Sequence, residues 1–144
     1  MSLVTRNNPK LTLEGARAVL AAAEKTSQEI RCPMNIAVVD DGGHLLAFAR
    51  MDGAKLASIE IALLKARSSA ARRSPTGPVM KGEEANMLLS VGLALGNPGE
   101  HTPIRGGLPL LVGGQVVGAI GVSAGSEDQD VEVARAGAAA LEKA

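Results

Sequence analysis

Gly106-Gly107-Leu108-Pro109-Leu110-Leu111-Val112-Gly113-Gly114-Gln115-Val116-Val117-Gly118-Ala119-Ile120-Gly121-Val122-Ser123-Ala124-Gly125-Ser126-Glu127-Asp128-Gln129-Asp130 is the stretch that decides the fold. Two apolar runs, 108–112 and 115–122, flank Gly113-Gly114, which predicts a tight hairpin. The polar step that follows, with Ser126 or Asp128 as cap, opens an alanine-rich helix toward the C-terminus, with Val131, Ala134, Gly137, Ala138 and Leu141 facing in. Gly118 and Gly121 lie inside the second strand, where glycine weakens pairing; there they signal a bulge or the close approach of another backbone or a ligand.

A similar arrangement stands upstream. Thr12 caps a predicted helix reaching about Arg31, with Leu13, Ala16, Val19, Leu20 and Ala23 at helical spacing. Pro33 ends it. Met34–Asp40 and His44–Arg50 read as strands joined by the Asp41-Gly42-Gly43 turn. Met51–Ala54 turns into a helix over 56–73, with the stripe Ile59, Ala62, Leu63 and Ala66. Ser74–Pro78 breaks it, a shorter helix is expected over 83–95, and a short strand near 102–105. Residues 1–10 read as an N-terminal arm, and 11–144 as one domain. The order helix, hairpin, helix, helix, hairpin, helix predicts an α+β fold. Its antiparallel sheet of about five strands has one face covered by helices.

Composition narrows the function classes. The chain has 15 basic and 15 acidic residues and a formal net charge of zero, so no overall field draws it to nucleic acid or to a membrane. Its aliphatic interior holds one aromatic, Phe48, which argues against base-stacking sites. Cys32 is the only cysteine and excludes an intrachain disulfide. No apolar run approaches a membrane span and no signal peptide is evident, so a cytoplasmic protein is expected.

Taken together, several blocks resemble a known family: Ala37-Val38-Val39-Asp40 with Gly42-Gly43, Arg50-Met51-Asp52-Gly53-Ala54, Ser58, Lys65-Ala66, Gly106-Gly107-Leu108-Pro109, Val117–Ser123 and Gln129-Asp130. The chain resembles the GlcG/HbpS-type haem-binding or haem-degrading domains, related to the C-terminal half of PduO-type cobalamin adenosyltransferases. The resemblance covers Leu11 to Leu141. It implies a profilin-like fold, a homo-oligomer, and binding of haem or another tetrapyrrole. Family members often carry aromatics where this chain has Arg67 and Arg72, an exchange that suits a smaller anionic ligand.

The residues themselves leave alternatives open. Arg50 and Asp52 can line a cleft mouth, or Asp52 can simply cap the next helix. Ser58 and Lys65 share a helix face two turns apart, and Lys65 can reach a carboxylate or snorkel to solvent. Arg105 beside Gly106-Gly107 can hold an anion with backbone help, or occupy a plain turn. Gln129 can face the same hollow or serve only the helix start. His101 is the candidate axial donor to haem; in a small enzyme acting on a carboxylated catabolic intermediate, His101 or Asp52 is the candidate proton carrier and Arg105 or Lys65 the candidate clamp on the carboxylate. His44 and His101 have no partners at metal-site spacing, so no metal site is expected. A non-catalytic accessory protein is the third reading. The residues on their own name no cofactor; haem enters through the resemblance. Expected partners are a small-molecule ligand and further copies of the chain, since so aliphatic a protein gains by burying surface between subunits.

Overall fold

A computed structural model describes residues 1–142. In chain order the elements are α1 (Leu13–Glu29), β1 (Asn35–Asp40), β2 (Leu45–Arg50), α2 (Ser58–Arg72), β3 (Met80–Lys81), β4 (Glu84–Ala85), α3 (Met87–Gly96), β5 (Gly107–Val112), β6 (Gln115–Ser123) and α4 (Glu127–Ala139). The main sheet is antiparallel with order β2-β1-β6-β5, and β3-β4 form a separate small ribbon. The fold is α+β, and residues 102–105 run without regular structure rather than as a further strand of the main sheet.

Helices cover both faces of this sheet, not one. Ile36 and Val38 of β1 and Ile120 and Val122 of β6 face α1 and α4, meeting Ala16, Val19, Ala23, Val133 and Ala134. Ala37, Val39 and Ala119 face the opposite way, onto Ala62, Ala66 and Ala70 of α2. A strand buried on both faces has no polar alternation, and β1 shows none from Asn35 to Val39. Between these small residues the sheet also presents Gly107 and Gly121 to α2. A Cβ on Gly121 would strike the carbonyl of Ala62 and the amide of Ala66, and one on Gly107 the carbonyl of Lys65. The strand glycines thus mark a close backbone approach by α2. Gly137 does the same for α4, lying against the Val19 carbonyl of α1.

The helix expected over 83–95 starts later. Gly82, at φ 64°, turns the β3-β4 ribbon, and the Asn86 side chain accepts from the Leu89 amide at 3.0 Å to cap α3. The C-terminal cap of α2 is Arg73 in the left-handed region, φ 57°, ψ 30°. Glycine is the usual occupant there, and Arg73→Gly is expected to raise stability by roughly 0.5–1 kcal/mol in urea melts.

Candidate functional site

Strand register brings four chain segments to one end of the sheet. Arg50 lies opposite Asn35, Asn35 opposite Ser123, and Gly107 opposite Gly121. The end of β2, the start of β1, the end of β6 and the start of β5 therefore converge. α1 also finishes there: Arg31 takes a left-handed conformation, φ 54°, and the Cys32 amide donates back to the Ser27 carbonyl at 3.1 Å. Between this helix end and the end of β2 lies a cleft of about 600 Å³. Glu24, Ser27, Gln28 and Arg31 line one wall, Ala49, Arg50, Met51 and Asp52 the other, and Cys32 and Pro33 join them. The Met51 amide donates to the Met34 carbonyl at 3.1 Å and ties the two strands together beneath the opening.

The chemistry of this lining is mixed. Two guanidinium groups offer forked donors to a carboxylate, and the nearby Glu24 and Asp52 limit the net charge. The Cys32 thiol donates to Gln129 Oε1 at 3.7 Å. That oxygen also accepts the Ser126 amide at 3.0 Å, completing a capping box at the start of α4. Gln129 is therefore outside the cleft's lining, behind Cys32, with its oxygen committed to the helix start. Ala124, at φ 129°, makes the sharp bend between β6 and α4 that sets this helix end beside Cys32.

The other residues expected at a shared hollow are placed differently. Lys65 is buried, 1 % exposed, and donates to Asp130 Oδ2 and the Val122 carbonyl, each at 2.8 Å. It joins α2, β6 and α4 internally instead of reaching for a ligand. Burial raises the Asp130 pKa, and the Lys65 hydrogen bond and charge and the Gly125 amide pull against that rise. Gly106 and Gly107 do not form an open anion cradle. The Gly107 amide donates to Thr76 Oγ1 at 2.9 Å, and a Cβ on Gly106 would press on Lys65 Nζ and the Val122 carbonyl. Arg105 pairs with Asp128 at 2.8 Å on the surface, at the start of α4, an exposed pair worth little to stability. Ser58 opens α2, half-buried. Asp52 is not the cap of that helix; Ala57 holds the cap position and makes no side-chain bond.

His101 lies on a different part of the molecule. The next residue, Thr102, takes the Ser68 hydroxyl as acceptor at 3.1 Å, ten residues or about 15 Å along α2 from Ser58. Burial lowers the His101 pKa, with the Arg72 charge adding to it. His101 and Asp52, the two alternative proton carriers, thus stand at different places in the fold, and only Asp52 lines the cleft. His44 sits in the turn at the far end of the sheet, 3.3 Å from Asp40. Among the described residues no group of three or more His, Cys, Asp or Glu side chains is arranged to hold a metal. No helix among them is long and apolar enough to cross a membrane.

Arg31, Cys32 and Glu24 were not expected at the cleft. Their signal in the sequence is slight: Arg31-Cys32-Pro33 marks a helix end, but only the register of β2 against β1 shows that Arg50 returns to the same place.

An antiparallel four-stranded sheet between α1/α4 and α2, with an open cleft at one end, defines a compact α+β domain of helix–sheet–helix build. Residues 11–139 match the family model described as haem degrading protein HbpS-like, and the chain belongs to that family. It is 40% identical over 113 residues to protein GlcG of Escherichia coli K12, covering 78% of this chain and 81% of that one. The crystal structure of Klebsiella pneumoniae protein ORFY superposes with a TM-score of 0.83 at 33% identity, over 99% of both chains. The PduOC:heme complex superposes with a TM-score of 0.80 at 27% identity, over 93% of this chain and 96% of that one.

Proposed function

We propose that this chain is a small-molecule-binding domain whose ligand carries carboxylates, with haem as the first candidate. The observation that carries the reading is the cleft in which Arg31 and Arg50 face a common opening at the end of the sheet. Guanidinium groups recognise carboxylates bidentately, and haem carries two propionates. The likeness to the PduOC:heme complex supports haem, as does the family. The lining fits the group in its polar contacts: Arg31 and Arg50 would hold the propionates, and the sulfur of Cys32 or Met51 would hold the iron. Bound haem would bring a redox-active iron to this cleft. The apolar part of the lining, Ala49, Met51 and Pro33, is narrow, which also admits a more compact carboxylate. The chain works as a homo-oligomer in this reading, because it exposes many large apolar side chains.

Haemin titration followed by absorbance, with calorimetry on a panel of small carboxylates alongside, tests the proposal. Arg50→Ala and Arg31→Ala are each expected to weaken binding by roughly 10- to 100-fold, the value of a charge-assisted hydrogen bond. His101→Ala is expected to bind as the parent does. If haemin gives no Soret shift and no carboxylate binds, or if both arginine variants bind normally, the reading fails.

A further inference from the structure

Four charged side chains line the cleft, two of each sign, and none of them is paired among the described residues. Glu24 and Arg31 stand on the α1 wall, Arg50 and Asp52 on the β2 wall. The four ion pairs of the described residues are Lys10–Asp41, Asp40–His44, Lys65–Asp130 and Arg105–Asp128, and no cleft residue belongs to them. On α1 the spacing explains this. Arg31 follows Glu24 by two helical turns, about 10 Å along the axis, where neighbours that pair stand one turn apart. Glu24 is half-buried, and Ala23 and Ser27 beside it are fully buried. α1 also brings its C-terminal end, the negative end of its dipole, to this wall with no basic residue in its last turn. Arg31 comes only after the chain has left the helix, at φ 54°.

We infer that the compact carboxylate this cleft admits also carries a protonated amine, its carboxylate held by Arg31 and Arg50 and its ammonium by Glu24. The inference rests on the cleft reading above and narrows its ligand class. A ligand that fills the opening takes water from Glu24 and Asp52 as well as from the arginines. A purely anionic ligand answers the guanidinium groups and leaves two carboxylates desolvated near its own negative charge. A zwitterion answers both signs. The narrow apolar part of the lining, Ala49, Met51 and Pro33, suits the short methylene chain of an aliphatic amino acid. A divalent cation is a poorer occupant than an ammonium, since the described residues bring no three His, Cys, Asp or Glu side chains together.

Calorimetry on the full chain with matched probes is the test: γ-aminobutyrate against butyrate, and ε-aminocaproate against caproate. Each amino carboxylate is expected to bind about 10-fold or more tightly than its partner, the value of one charge-assisted hydrogen bond. Glu24→Gln keeps the shape of the side chain and is expected to bring this affinity ratio close to one. Arg50→Ala is expected to weaken both members of each pair. A ratio near one in the parent overturns the ammonium site and leaves the carboxylate cleft standing. A ratio that survives in the double variant Glu24→Gln/Asp52→Asn overturns it as well. Haemin binding without a response to any of the four probes overturns the ammonium site and leaves the haem reading. Silence from haemin and from all four probes removes the cleft along with it.

Discussion

Lys65→Met is expected to lower the free energy of unfolding by about 3–5 kcal/mol, measured by urea melts at neutral pH. The lysine and Asp130 are both buried, at 1 % and 3 % exposure, and meet at 2.8 Å. Removing the ammonium leaves a carboxylate in the interior with only the Gly125 amide, at 2.9 Å, as compensation. It also strips the Val122 carbonyl of a donor. The loss should depend on pH. Burial already lifts the Asp130 pKa, and without Lys65 nothing cationic opposes the rise. A group with a raised folded-state pKa contributes stability below its unfolded value and loses it as pH climbs through the folded one. The variant should therefore lie nearest to the parent near pH 4 and fall away toward neutrality. Lys65→Met/Asp130→Leu should recover most of the loss, since an apolar pair of similar volume needs no counter-charge. Equal stability of Lys65→Met and the parent at pH 7 would remove the pair from the list of structural determinants.

Gly121→Ala is the second large effect expected, a destabilisation of about 3 kcal/mol, at the upper end for an overpacked core. The methyl group would point at main-chain atoms of α2, the Ala62 carbonyl and the Ala66 amide, which cannot swing aside as a side chain can. The helix must lift, and it carries Lys65 with it, so the ion pair loosens as well. Gly107 sits opposite in register and faces the Lys65 carbonyl, so Gly107→Ala should behave alike. A cost below 1 kcal/mol for both would mean that α2 is not seated on these glycines.

Much of the architecture was legible because it rests on local chemistry. Asp41-Gly42-Gly43 and Gly113-Gly114 announce hairpins, Thr12 and Ser126 announce helix starts, and the glycines of β6 announce a close approach. Coverage of both faces was harder to see, because the α2 side of the sheet is built from alanine and glycine and gives little periodic signal. The late start of α3 turned on Asn86 acting as a cap and on a two-residue ribbon too short to show as a strand. The site was less legible than the fold. Arg50 and Asp52 reach the cleft, and Gln129 stands behind it. Lys65 does not, because its partner Asp130 lies 65 residues away and looks, in the sequence, like one more acid in a helix's first turn. Arg31 and Cys32 belong to the cleft through tertiary register, which no local pattern encodes.

Both hairpins slip register once, between Val38 and Val39 and between Leu110 and Leu111, on the side of the sheet nearer the tight turns. The opposite half, from Asn35 to Val38 and from Ile120 to Ser123, pairs without interruption. Length changes in evolution or engineering are therefore absorbed unevenly: an extra residue near either bend disappears into an existing irregularity, whereas one added inside Asn35–Val38 or Ile120–Ser123 would turn the strand residues on one side of it to the wrong face. Peptide tags and reporter loops belong at the bends.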